Sequence, residues 1–256
     1  MEKLLFINQT EEVKDIVRKI KQSFTDTVKD EFITKKTFSP SSLVWADGAC
    51  PRRWALAFKG SDWYDSIDPV SMARMNSGTA RHEQLQEILE AGPLDIDSER
   101  NLRSEDPPIN SYCDIVIKYE GKEVPVEIKT AGNDGFNFRK TNLKAASYHL
   151  TQLLIYMRLL DTDLGFILYE NRDTFEKLLI PVHMNEEREE YLDYLFNWMR
   201  TVYKAHQDGE MPTEFKGKRK NSRICKGCPV RKSCEDGSNP GTVTLPLLES
   251  IDKYGK

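Results

Sequence analysis

The stretch from Tyr112 to Gly132, YCDIVIKYEGKEVPVEIKTAG, decides the fold class. Two runs rich in β-branched residues flank Glu120-Gly121-Lys122, which is the composition of a two-stranded hairpin. Successive side chains alternate faces along a strand, so Glu127 and Lys129 point one way while Val126 and Ile128 point the other. Asp114 opens the partner strand and comes near Glu127 across the turn. Two carboxylates and an ammonium together allow two readings. One is a solvated ladder of acid and base on a surface strand. The other is a site for a hard divalent cation such as Mg²⁺ or Mn²⁺, which oxygen ligands suit, with the lysine placed to neutralise charge on a phosphate.

Working outward from the hairpin, apolar periodicity predicts a helix from about Glu11 to Phe32, with Val13, Ile16, Val17, Ile20, Phe24 and Val28 on one packed stripe. Ser39, Ser41 or Ser42 can cap a short helix running toward Cys50, and a third helix spans 69–92, ended by Gly92 and Pro93. After the hairpin come a helix over 143–160, strands at 165–171 and 176–182, and a long helix over 185–207. The order α–β–β–α–β–β–α predicts an α/β core of few strands. Residues 1–75 read as an N-terminal helical region, 76–210 as the core, and 211–256 as a basic, cysteine-rich segment.

The 256 residues are enough to bury a sizeable core. No run approaches the roughly 18 apolar residues of a membrane span, and the N-terminus lacks the apolar length of a signal peptide, so a cytoplasmic location with no membrane partner is expected. A net charge of −4 does not advertise nucleic-acid binding, which would have to come from local basic patches such as KGKRK at 216–220, or Arg139 and Lys140. Five cysteines in a reducing compartment read better as ligands or buried small side chains than as disulfides. Cys225, Cys228 and Cys234 lie in a C-x2-C-x5-C run, one short of the usual four metal ligands.

Two further pairs carry polar chemistry at helical spacing. Gly78 and His82, in GTARH, share a helix face, as do Gln152 and Tyr156, in QLLIY. Each alone is compatible with ordinary packing, a hydrogen-bonded histidine or a buried tyrosine.

Taken in order, GTARH, the Asp of CDIVI, EIK and QLLIY resemble the successive motifs of the RecB-like branch of the PD-(D/E)XK nuclease superfamily. The resemblance spans roughly Ser39 to Cys234 and implies a restriction-endonuclease-like core, a small mixed sheet flanked by helices. It is similar in particular to the iron–sulfur members, among them the AddB nuclease domain and the CRISPR-adaptation exonucleases (the fourth Cas protein), which place one cysteine before the core and three after it. That implies Cys50, in ACPRRWALAFKG, as the fourth ligand beside Cys225, Cys228 and Cys234, and a [4Fe–4S] cluster joining the N-terminal helices to the C-terminal segment. Zinc is the competing ion, although structural zinc sites mostly pair two close cysteine knuckles and Cys50 has no cysteine beside it. Gly227 and Pro229 are expected to permit the tight turns of the ligand loop. Cys113 is left as a buried structural thiol.

By the same resemblance His82, Asp114, Glu127 and the carbonyl of Ile128 would hold Mg²⁺ or Mn²⁺, with Asp114, Glu127 and Lys129 the catalytic set. Gln152 and Tyr156 would position the strand, and Arg52, Arg53, Arg139 and Lys140 would contact phosphates. The implied activity is a metal-dependent DNA exonuclease acting on single-stranded ends in recombination, repair or CRISPR adaptation, with proteins of those systems as partners. One departure is that NSYCD lacks the glycine that often precedes the metal-binding aspartate. The rival reading is a non-catalytic nucleic-acid-binding or assembly protein that keeps the fold and cluster; the intact acidic and lysine positions argue against it.

Overall fold

The computed structural model describes residues 10–25, 30–64, 69–215 and 223–255. In chain order its elements are α1 (Glu11–Thr25), β1 (Asp30–Ile33), α2 (Pro51–Lys59), β2 (Ser61–Tyr64), α3 (Pro69–Glu90), β3 (Asp95–Ser104), β4 (Ile109–Tyr119), β5 (Lys122–Ala131), α4 (Asn133–Asn142), α5 (Ser147–Leu159), β6 (Leu164–Asn171), β7 (Lys177–His183), α6 (Glu186–Gln207), α7 (Arg223–Lys226) and α8 (Arg231–Glu235). Two short 3₁₀ turns, Pro40–Ser42 and Ala46–Ala49, precede α2. β1 and β2 form a small antiparallel pair, and β3 to β7 form a mixed five-stranded sheet in sequence order.

The sheet is antiparallel except between β5 and β6, which run parallel and are joined through α4 and α5. β5 changes partners along its length. Residues up to Val126 pair with β4, and residues from Val126 onward pair with β6. Pro125, which has no N–H to give a ladder, sits in the half that β6 does not pair. Where β5 leaves β4 the sheet opens, and the candidate site residues Asp114, Glu127 and Lys129 lie at that opening.

Helices cover both faces. On one, Leu85 of α3 packs on Ile115, Val126 and Ile128. On the other, α5 and α6 bury Leu153, Leu154, Leu192, Leu195, Met199 and Val202 against Ile167 and Ile180. The α6 positions recur at i, i+3, i+7 and i+10, one face of a helix. Phe38, Trp54 and Phe58 from the N-terminal part and Leu248 from the C-terminal part join this same core. Among the described residues no helix is long and apolar enough to cross a membrane.

Three expectations need correcting. The first helix ends at Thr25 rather than near Phe32, and 30–33 is a strand; Val28 lies outside the described residues. Val13, Ile16 and Ile20, expected to pack, are exposed, so the stripe has the periodicity of a buried face without the burial. Strand β3 and helix α4 were unanticipated, because DIDSERNLRS has few apolar residues to show a period and NDGFNFRKTN is polar with a glycine near its start.

α2 is buried along Pro51–Phe58, including its two arginines. Pro51 takes the first helical position, where a missing N–H costs nothing, and Gly60 ends the helix at φ 87°. Ahead of it, Trp54 Nε1 donates to the Gly48 carbonyl at 2.8 Å. A Cβ on Gly48 would fall 1.4 Å from the Ser42 carbonyl oxygen, so the two 3₁₀ turns can lie against each other only if this residue is glycine. Gly48→Ala is therefore expected to cost about 3 kcal/mol in denaturant unfolding. Gly227→Ala, where a Cβ meets nothing within 4 Å, should be within about 0.5 kcal/mol of the parent. Equal effects at the two positions would contradict this packing.

Candidate functional site

Glu99, Asp114 and Glu127 lie in one rank across β3, β4 and β5. The β3–β4 register has Ser98 opposite Ile115 and Arg100 opposite Cys113, which sets Glu99 opposite Asp114 without a ladder bridge. The β4–β5 ladder stops at Ile115 and Val126, one step before Asp114 and Glu127. In the gap, the Ile128 N–H donates to Asp114 Oδ2 at 2.6 Å, a bond that replaces the missing ladder. Glu99 adopts a left-handed φ of 51°, unusual for a non-glycine residue, and Gln86 Nε2 donates to both its carboxylate (2.8 Å) and the Asp114 carbonyl (2.9 Å).

Glu127 is 1 % exposed. One of its oxygens is ion-paired with Lys129, which points the same way along β5 as the alternation requires, while Oε2 is buried with no hydrogen-bond partner. An unpartnered buried carboxylate oxygen is costly, and either a proton or a bound cation satisfies it. His82 approaches from α3, with Nδ1 4.0 Å from Asp114 Oδ2. No three His, Cys, Asp or Glu side chains among the described residues are drawn together tightly enough to hold a metal ion as they stand. The donor set nevertheless suits one: a neutral imidazole and two carboxylates, one of which has an orphaned oxygen.

The electrostatics follow from burial at the opening. Burial pushes the Glu127 carboxyl up to about 8, with the Asp114 charge adding to it and Lys129 opposing. Asp114 is raised to about 6 by burial, against Lys129 and the Ile128 N–H. His82 is lowered to about 4, first by burial and then by Lys129, which leaves the imidazole neutral, the form a metal requires. Burial works against the Lys129 charge, but Glu127 and Asp114 together outweigh it and the ammonium is held above its ordinary range.

The imidazole is held in place by its neighbour on α3. Arg81 makes a two-pronged pair with Glu170 of β6, at 2.6 and 2.9 Å, and Lys177 adds a third contact at 3.1 Å. Glu170 is fully buried, so this pair ties α3 over the sheet next to the site. Glu99 and the Arg81–Glu170 pair were both missed in the sequence. A carboxylate ending the apolar run FILYEN was the one local sign that a partner must exist, whereas nothing around Glu99 marks it. Gly78 is not sterically demanded: a Cβ there would meet only Thr130 Oγ1, at an ordinary 3.6 Å.

Gln152 and Tyr156 do lie together but face inward. The Tyr156 hydroxyl receives Gln152 Nε2 at 2.9 Å, contacts Ser111 Oγ at 2.9 Å and donates to the Tyr112 carbonyl at 3.0 Å. Both side chains are buried, so in this structure they brace the approach of β4 to Asp114 and are not presented to a DNA strand. Cys113 is fully buried beside them, with Leu102 and Val116.

Arg52 and Arg53 are likewise not surface phosphate ligands; they are 1 % and 5 % exposed. Arg52 donates to the Cys234 sulfur (3.1 Å) and to the Pro212 and Asn239 carbonyls (2.8 and 2.6 Å), and Arg53 pairs with Asp47 at 2.8 Å while its guanidinium lies over Trp54. Their positive charge serves the cysteine region. Lys140 pairs with Glu176, and the basic segment 216–220 lies outside the described residues.

Cys50, Cys225, Cys228 and Cys234 line one cavity of about 80 Å³, together with Arg52, Arg53 and Val230. All are free thiols. Burial raises the thiols of Cys50 and Cys225, and that of Cys228 to about 12. As with the carboxylates, the sulfurs face a common space without closing on ligating distances. Gly227, expected to permit a tight turn, has no left-handed φ and open space around it, so the cysteine loop does not need glycine there.

No family model and no curated protein sequence matches the chain. Among solved structures, one described as SSO0001 is 18% identical, with 89% of this chain and 98% of that one covered and a TM-score of 0.45. An alkaline exonuclease (LHK-Exo) from Laribacter hongkongensis is 13% identical, with 53% of this chain and 67% of that one covered and a TM-score of 0.39. Its complex with dAMP is 13% identical, with 54% and 70% covered and a TM-score of 0.42.

The raised Glu127 carboxyl has a consequence for stability. Because its value is about 8 in the fold against 4.5 ordinarily, folding favours the protonated form; that contribution is full below 4.5 and is lost as pH rises through about 8. In EDTA, Glu127→Gln is therefore expected to melt higher than the parent above pH 8, with the advantage vanishing near pH 4.5. A parent that is the more stable protein across that whole window would contradict this account of the buried carboxylate.

Proposed function

We propose that the protein is a Mg²⁺- or Mn²⁺-dependent deoxyribonuclease that hydrolyses phosphodiester bonds from single-stranded ends, with a [4Fe–4S] cluster on Cys50, Cys225, Cys228 and Cys234. The observation that carries the reading is Glu127 itself: buried, unpartnered at Oε2, in rank with Asp114 and paired with Lys129. A surface ladder of acid and base would leave all of these groups in water. His82, Asp114, Glu127 and the Ile128 carbonyl would hold the ion. When bound, such an ion acidifies a water molecule and neutralises charge on the phosphate.

The chain's own groups account for the remainder. In hydrolysis a water oxygen bonds to phosphorus, the bridging P–O bond breaks, and the departing oxygen takes up a proton. Lys129, held charged by Glu127, stands ready to stabilise the charge that builds on the attacking oxygen and the phosphoryl group. The Ile128 N–H fixes Asp114, and the Arg81–Glu170 pair fixes the helix that carries His82. At the cysteines, four thiolates suit an iron–sulfur cluster, and Arg52 supplies a donor to the Cys234 sulfur and positive charge to offset them. Bridging about 175 residues of chain, the cluster acts as a staple. Reduced thiols fit the cytoplasm, and recombination or CRISPR adaptation is the setting the motif order suggests.

Lys129→Ala and Glu127→Ala are each expected to lower cleavage of end-labelled single-stranded DNA by about a hundredfold or more. EDTA should abolish cleavage in the parent. Only Glu127→Ala should weaken Mn²⁺ binding in calorimetry, since removing the Lys129 cation leaves metal affinity similar or higher. Near-parental cleavage by both variants would overturn the catalytic assignment.

Anaerobically purified protein is expected to be brown and to carry iron that Cys50→Ala loses as fully as Cys228→Ala, while Cys113→Ala keeps it. Colourless protein with stoichiometric zinc would replace the cluster by a zinc site.

A further inference from the structure

A chain of ring contacts runs from Tyr169, buried beside Lys129, out to the surface. Tyr169 is the β6 register partner of Lys129. Its hydroxyl lies 2.8 Å from His149 Nδ1, and the two rings are 5.6 Å apart. Tyr148 follows at 4.2 Å from His149, and Trp45 at 4.6 Å from Tyr148. Trp45 is 49 % exposed. On the inner side the Arg139 guanidinium lies 5.0 Å from the Tyr169 ring; its Nη1 donates to the Gly135 carbonyl at 2.5 Å, and its buried Nε has no hydrogen-bond partner.

Two features set Trp45 apart from incidental surface tryptophan. The next residue, Ala46, is held at φ 45°, a left-handed conformation that costs a non-glycine residue about 1 kcal/mol. The loop bearing both residues is fixed from behind, by Trp54 on the Gly48 carbonyl and by Arg53 on Asp47, and leads directly into Cys50. A rigid, strained turn thus presents a large apolar ring to water, where collapse onto the core would bury it.

We infer that Trp45 and Tyr148 form a surface subsite for unpaired nucleobases beside the candidate nuclease site, with Arg139 on its inner side. The inference rests on the nuclease reading for its role, and on the ring geometry for the ligand class. Stacking on protein rings needs bases whose faces are free, which a duplex does not offer, and a guanidinium next to such rings meets the accompanying phosphates.

The test uses the full-length protein in EDTA, with fluorescein-labelled oligothymidylate or a duplex of equal length as probe. Binding is followed by anisotropy and by tryptophan fluorescence. Trp45→Ala is expected to weaken single-strand binding about tenfold, the size of one lost stacking contact. Trp45→Phe should restore most of the affinity, and Tyr148→Ala should weaken it comparably. Oligothymidylate should quench the parent's fluorescence but not that of Trp45→Phe, and the duplex should bind weakly to all. Unchanged single-strand affinity in both alanine variants, with melting temperatures near the parent's, overturns the subsite. Equal loss of duplex and single-strand binding also overturns it, in favour of a general surface contact. Ring-dependent binding by a protein that cuts no DNA with any divalent metal upholds the subsite and sinks the nuclease reading; cleavage whose KM is untouched by Trp45→Ala does the reverse.

Discussion

Burying a carboxylate with one oxygen unpartnered costs several kcal/mol unless something in the structure compensates. Glu127 is in that position because β5 gives up β4 and takes up β6 at this residue, so its neighbours on one side have left the ladder. The surrounding polar groups answer to this. Lys129 satisfies one oxygen, the Ile128 N–H turns to Asp114 instead of a strand partner, and Gln86 ties Glu99 to the Asp114 carbonyl. The Arg81–Glu170 pair fixes the helix above, and Tyr156 props the strand below. Natural folds tolerate such strain where function needs charge preorganised away from water. The opening in the sheet and the concentration of charge are one feature.

The cysteine region solves a separate problem. The small β1–β2 pair and α2 reach the sheet through a loop held by Gly48 and Trp54, and among the described residues the C-terminal segment has only short helices of its own. Arg52, buried and donating to Cys234, Pro212 and Asn239, already links the two ends, and the four thiols share a cavity at that junction. A ligand that draws the thiols together would lock α2 to the C-terminal segment and, through Cys50, stiffen the loop that carries Trp45. Such a staple would mechanically join the cysteine region to the proposed nucleobase subsite.

The hairpin was legible because alternation over VEIKT and the turn at Glu120-Gly121 are local properties of the chain. The same holds for α6, whose apolar stripe is long and regular. What escaped reading was set by tertiary context. β3 carries too little apolar character to announce a strand, and it forms by pairing with β4; Glu99 owes its place to that pairing, and no local pattern encodes it. Arg52 and Arg53 look like surface cations in a basic motif, yet α2 is buried on all sides and the arginines satisfy carbonyls, a sulfur and a carboxylate inside. Gln152 and Tyr156 were correctly paired by helical spacing, but spacing gives no direction, and they point into the core. Conversely, α1 has the spacing of a packed helix and exposes it.

The central claim is that the opening at Glu127 holds a divalent cation. Anomalous diffraction at the manganese edge from crystals grown with Mn²⁺ tests it most directly. The account predicts one strong peak within ligating distance of Glu127 Oε2 and an Asp114 carboxylate oxygen, with the His82 imidazole turned toward it. Well-ordered crystals with no peak there, and Glu127 still paired to Lys129 alone, would contradict it.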